Sequence, residues 1–240
     1  MNMMMAKKKP AKKNTMVKIV LIKPGSTDYD EQGRIQGNLD IPLNSQGVGE
    51  VGQLADSLQS CGIDTLYCPP CEPAMETARA LSKALDIKIK KLGKMENVDL
   101  GLWQGMKTDE VRRKQQRVYR QWQEHPETVC PPEGETLDIA RARMATVLTK
   151  TLKRHQNGTI GLVIPEPMAS LVRQFLMGNG AELGDLWVAT ADRPTYESFE
   201  IEILNGDNAA REEPDFPVNG GGKNGKSNGL IIKPAVVATE

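Results

Sequence analysis

Several residues in this chain have types and spacings that can do chemistry. Cys68-Pro69-Pro70-Cys71 is a C-x-x-C pair, a spacing used by redox dithiols and by half of a zinc site. Cys130 precedes the loop Pro131-Pro132-Glu133-Gly134-Glu135-Thr136, so three sulfurs with His125 would make a Cys₃His set. Against this stands the plainer reading of Cys68 and Cys71 as free, buried thiols, with no metal or other cofactor called for. Lys23-Pro24-Gly25-Ser26-Thr27 follows an apolar run, where the single positive charge of Lys23 suits an anion. Lys23 equally fits a place along a sheet edge. Glu166 lies before a helical stretch, whose N-terminus favours a carboxylate and from which it would reach toward Lys23; a solvated surface glutamate is the alternative.

These residues need elements to hold them. Val17–Ile22 reads as a buried strand, with further strands over Asp64–Tyr67, Ile87–Leu92, Thr159–Ile164, Trp187–Ala191 and Ser198–Ile203. Val48, Val51, Leu54 and Leu58 recur at helical spacing, predicting a helix from Ser45 to Cys61 that stops at Gly62. Helices are also expected over Ala74–Leu85, 108–124, 136–155 and Met168–Met177. Strands alternating with helices imply a three-layer α/β/α sandwich with a mostly parallel sheet. In such folds ligands bind outside the carboxyl ends of the strands, so the residues just after each strand are the informative ones.

Composition sets the outer limits. The 240 residues allow one sizeable core, 39% are hydrophobic and 26% are charged, as in ordinary globular proteins. Lys plus Arg and Asp plus Glu are 31 each, so no global charge argues for nucleic acid. No apolar run approaches the roughly 18 residues that would span a bilayer. Four cysteines make no disulfide framework, and the basic start has no apolar segment after it; a cytoplasmic location is expected. Residues 1–15 read as a disordered basic arm, 16–205 as the folded domain, and 206–240 as a flexible Gly- and Asn-rich tail. The stretch Glu110–His125 is basic with Tyr119 and Trp122 interleaved. That pattern suits nucleic acid less well than a solvated amphipathic helix over the pocket.

The strand-end residues carry a resemblance. In order come Lys23-Pro24-Gly25-Ser26-Thr27; Arg34, Gln36, Gly37, Asp40, Pro42, Leu43 and Gly47; residues 68–78, CPPCEPAMETA; residues 96–105, ENVDLGLWQG; and residues 131–136, PPEGET. The series resembles the histidine phosphatase superfamily, or phosphoglycerate-mutase-like proteins, across about residues 16 to 204. The resemblance implies that fold and a pocket around Lys23, Gly25, Thr27, Arg34 and Gln36, joined by Glu166. It also implies that the working residues are replaced. Pro24 stands where the family has its nucleophilic histidine, and Lys23 where it has a phosphate-binding arginine. Pro73 stands at the second arginine, Pro165 at the second histidine, and Asn97 at the leaving-group acid, unless Glu96 fills that role. Proline offers no nucleophile, no side-chain donor and no backbone N–H. The expectation is a catalytically inactive binding, scaffold or regulatory protein, with a protein or small molecule as partner and a homodimer left open. A residual phosphatase with a rebuilt site, or a cysteine-based metal or redox activity, is the alternative.

Overall fold

The computed structural model describes residues 15–155, 157–177, 195–204 and 231–239. A six-stranded sheet runs through its centre in the order β3-β2-β4-β1-β5-β6. The strands are β1 (Thr15–Ile22), β2 (Thr65–Cys68), β3 (Lys88–Lys91), β4 (Thr159–Val163), β5 (Tyr196–Leu204) and β6 (Ile231–Thr239). β1 to β4 are mutually parallel, with Val20 opposite Gly161 and Leu66 also opposite Gly161; β5 lies antiparallel to β1 and β6 antiparallel to β5. The helices are α1 (Asp28–Glu31), α2 (Ser45–Leu58), α3 (Ala74–Leu85), α4 (Thr108–Lys114), α5 (Gln116–Glu124), α6 (Leu137–Leu152) and α7 (Met168–Met177).

Two apolar cores flank the sheet. β1 alternates between them: Val20 and Ile22 meet α2 and α3, while Ile19 and Leu21 meet the layer of α4 to α7. This is the three-layer arrangement that the strand–helix alternation implies. Among the described residues no helix is long and apolar enough to cross a membrane.

Local chemistry sets the helix ends. The Asn44 side chain accepts from Gly47 N–H at the start of α2, and Thr136 accepts from Ile139 N–H at the start of α6. Such caps contribute about 1 kcal/mol each. α2 ends at Leu58, three residues earlier than its apolar spacing predicts; Gln59–Cys61 tighten into a 3₁₀ turn that closes on Gly62 at φ 64°. Val48, counted on the buried stripe, is 62% exposed. The contact of this first turn with the loop after β1 is made by Gly47 instead.

The stretch 108–124 is two helices rather than one, broken at Gln115 (φ −129°, ψ 45°), whose side chain accepts from the Trp103 indole N–H. The break lets Val111 of α4 and Tyr119 and Trp122 of α5 all reach the core, and the Trp122 ring meets Trp103 edge-on. The interleaved aromatics therefore face inward and offer no stacking platform. Of the expected flexible tail, Ile231–Thr239 forms β6, ladder-paired to β5 with a register shift opposite Glu200 and Ile201. Strand pairing of an apolar, β-branched segment overrides the Gly- and Asn-rich composition before it. Likewise β1 begins at Thr15, at the end of the expected arm. The expected strand Trp187–Ala191 lies outside the described residues.

Candidate functional site

The loops that follow β1, β2 and β4 meet at the carboxyl end of the sheet. Pro24 and Gly25 are buried at the tip of β1. Gly25 N–H donates to Thr77 Oγ1 at 3.1 Å, tying this tip to the first turn of α3, where Pro73 sits at the N-cap. Ser26 turns outward to Glu50 on α2: its N–H and hydroxyl both donate to that carboxylate, at 2.9 and 2.7 Å. Burial pushes the Glu50 pKa up, but the Ser26 hydroxyl, the Gln46 amide, the Ser26 N–H and the Lys23 charge outweigh it and hold it below the ordinary value.

The other expected binding residues are committed to the loops themselves. Thr27 closes a capping box with Asp30 at the start of α1. Arg34 donates to Gly105 O and to Gln32 Oε1, at 2.5 and 2.7 Å. Gln36 donates to Leu39 O at 3.3 Å and makes a long contact to Glu72 O. Their donors hold main-chain and neighbouring side-chain acceptors, which leaves Lys23 and Glu166 as the expected binding residues that line the small cavity described below.

Asn97 is the tie between these loops. It is 2% exposed, and its amide donates to Gly37 O (2.8 Å) and Glu166 O (2.6 Å) while its oxygen accepts from Val98 N–H and Met168 N–H. Two donors facing two carbonyls require an amide; a carboxylate fits neither bond. Glu96, the other candidate for the acid, is half-buried and accepts from Lys94 N–H. Its backbone carbonyl, with those of Lys94 and Asn97, is held by Arg143 of α6, whose guanidinium also pairs with Glu135 at 2.6 Å.

Pro165 is buried, and its carbonyl accepts from Ala169 N–H as α7 begins. Glu166 is not a solvated surface residue: its side chain is only 10% exposed. One oxygen accepts from the Ser170 N–H and hydroxyl, and the other stands 3.6 Å from Arg173 Nη1. Arg173 turns its fork onto Glu197 of β5, with Nε to Oε2 at 2.8 Å and Nη2 to Oε1 at 2.5 Å. Burial works against the Arg173 charge, yet Glu197 and Glu166 together hold its pKa above the usual arginine value. Lys23, Glu166, Arg173 and Glu197 surround a cavity of about 10 Å³, room for about one water molecule. Two cations and two carboxylates thus occupy the side of the pocket nearest α7.

Arg173 and Glu197 carry no motif and sit 24 residues apart, so no spacing announced them. The one available signal was an arginine on the otherwise uncharged helix Met168–Met177.

The cysteines do not converge. Cys68 is buried, with its thiol toward Met75 Sδ, and burial pushes its pKa up to about 11. Burial, with the nearby Asp40 carboxylate, pushes Cys71 up to about 12. Desolvation of the thiolate dominates at both sulfurs. Cys130 is exposed and directs its thiol to the carbonyls of its own loop. Among the described residues no group of three His, Cys, Asp or Glu side chains stands close enough to hold a metal ion.

Comparisons with known proteins agree with this geometry. The sequence profile of the histidine phosphatase superfamily (branch 1) matches residues 19–193. The chain is 29% identical over 188 residues to phosphoserine phosphatase 1 of Hydrogenobacter thermophilus, covering 78% of this chain and 88% of that one. It is 23% identical over 190 residues to a probable phosphoglycerate mutase, GpmB, of an Enterobacter species, covering 79% and 82%. The crystal structure of phosphoglycerate mutase from Bacillus anthracis superposes with a TM-score of 0.67 at 17% identity, over 78% of this chain and 88% of that one. With the strand order, the loop convergence and the profile in agreement, the chain belongs to branch 1 of the histidine phosphatase superfamily.

Proposed function

We propose that this chain is a superfamily member without the phospho-histidine reaction, acting by binding a small molecule or peptide rather than by turnover. The observation that carries this reading is Pro24, buried at the tip of β1 where the family places its nucleophile. In-line phosphoryl transfer needs a nucleophile and donors for the equatorial oxygens. Position 24 supplies no lone pair for attack, and Pro73 and Pro165 supply no donors. The Asn97 amide is engaged in loop bonds and has no acidic proton to give a leaving group. Loss of one oxyanion donor alone costs roughly 10²–10³ in rate. Four free thiols suit a reducing compartment such as the cytoplasm.

The second reading is residual phosphatase activity. It draws on the relative named phosphoserine phosphatase 1 and on two cations, Lys23 and Arg173, beside the pocket. A cysteine-based reaction has less support, since thiols held near 11 and 12 are protonated at neutral pH.

The test is incubation of the purified full chain with p-nitrophenyl phosphate and with a labelled phospho-donor. The expected result is hydrolysis at the blank rate and no acid-labile label on the protein. Turnover that survives repurification and disappears in Lys23→Ala would overturn the proposal.

A further inference from the structure

At the β3 edge of the sheet, a second group of polar side chains has no part in the reading above. The Tyr67 hydroxyl of β2 lies 2.5 Å from His155 Nε2, and the two rings meet edge-on with centroids 5.4 Å apart. Lys90 of β3 places its ammonium 5.6 Å from the centre of the Tyr67 ring. Ile89 packs into the core beneath α2 and α3, so Lys88 and Lys90 project from the opposite face, the one that carries Tyr67. β3 is an edge strand, and Lys88 and Lys90 are exposed. Lys153 and Arg154 are exposed just before His155.

The charge in this corner is unbalanced. Among the described residues no carboxylate stands within ion-pair distance of Lys88, Lys90 or Arg154. Asp64 is the acid whose charge acts on His155, and its carboxylate also accepts the Thr159 N–H at 2.8 Å. We propose that the Lys90–His155 corner is a binding site for the phosphate group of a ligand, with Lys88 placed to meet a second phosphate along a chain. With the Tyr67 hydroxyl on Nε2, Nδ1 is the ring nitrogen left for a ligand, and the Lys90 ammonium over the same Tyr67 ring supplies the charge. Such a pair gives charge-assisted bonds to phosphate oxygens.

This site goes beyond the reading of the strand-end pocket and is independent of it. The groups facing His155 are Tyr67 from β2, Lys90 from β3 and Asp64 from the turn before β2. Burial and then Lys90 lower the His155 pKa, with Asp64 acting in the opposite sense. An anion seated between Lys90 and His155 favours the imidazolium, so binding tightens as pH falls and the His155 midpoint rises when ligand is present.

With His125 and His155 the sole histidines, proton NMR gives one resonance for each, and exposed His125 is the internal control. The full chain is titrated with inorganic phosphate and with tripolyphosphate at constant ionic strength. The expected result is a saturable shift of His155 alone, a raised His155 midpoint, and binding weakened about tenfold in Lys90→Gln but kept in Lys90→Arg. Lys23→Ala is expected to leave the response unchanged. Tighter tripolyphosphate binding that Lys88→Gln reduces identifies a polyphosphate chain as ligand; equal binding unaffected by Lys88→Gln identifies a single phosphate group. A His155 signal that ignores both probes, moves in parallel with His125, or responds equally in Lys90→Gln would overturn the site.

Discussion

The Arg173 guanidinium grips the Glu197 carboxylate across the gap between α7 and β5, with two N–H groups on two oxygens. The pair is mostly withdrawn from water, at 20% and 9% side-chain exposure, and Glu166 and Ser170 complete its surroundings. Removing the guanidinium takes the fork partner from Glu197 and the cation 3.6 Å from Glu166, both carboxylates having little solvent. Arg173→Ala is expected to lower stability by about 3 kcal/mol, seen as a reduced urea midpoint at unchanged slope. A triple change to Met at 173 with Gln at 166 and 197 removes the stranded charges and is expected to recover most of that loss.

Asn97→Asp separates a structural amide from a vestigial acid. The substitution places carboxylate oxygens against the carbonyls of Gly37 and Glu166, where the amide now donates. A loss of about 3 kcal/mol is expected by chemical denaturation, with no gain in phosphatase rate. A faster rate with unchanged stability would mean that the position still works as an acid.

The thiols give an ordering. Cys130 is exposed, whereas Cys68 is buried and Cys71 is pushed up to about 12. At pH 7.5 a disulfide reagent is expected to modify Cys130 first, with Cys68 and Cys71 reacting only on the timescale of opening or unfolding. Cys130→Ser is expected to remove the fast phase.

Glu50 sets a limit at low pH. Its pKa is held below the ordinary 4.5 in the folded chain, so the folded state retains the charge that the unfolded state gives up first. The resulting stabilisation is present above about 4.5 and is lost as pH falls through the depressed folded value. Glu50→Gln is therefore expected to show a shallower decline of the melting temperature between pH 5 and pH 3 than the wild type. Ser26→Ala, which removes the hydroxyl donor, is expected to act in the same direction.

How much of this was visible before any coordinates depends on what each residue touches. The sheet was legible because Ile19–Ile22 and Ile160–Ile164 are buried on both faces and read as unbroken apolar runs. The converging loops were legible through their order along the chain. The break at Gln115 was not, since it depends on a bond to Trp103 twelve residues earlier. Nor was β6, whose pairing with β5 is a property of two segments rather than of one. The Arg173–Glu197 fork had the same character: helix and strand periodicities each mark a position as core-facing, and neither indicates that a charge waits opposite.

The glycines behind the tip of β1 have a further consequence. A side chain at Gly47 would lie 2.1 Å from Ser26 O, and one at Gly25 would lie 2.6 Å from Gly47 O. The two backbones are thus fitted against each other on the side away from the pocket, and Gly25 is anchored again through Thr77. The course of this turn is dictated from its rear, so the residue at 24 is a passenger on it. Whoever wishes to graft a new reactive group onto this chain inherits a ready mount at the end of β1, and must rebuild only what faces it.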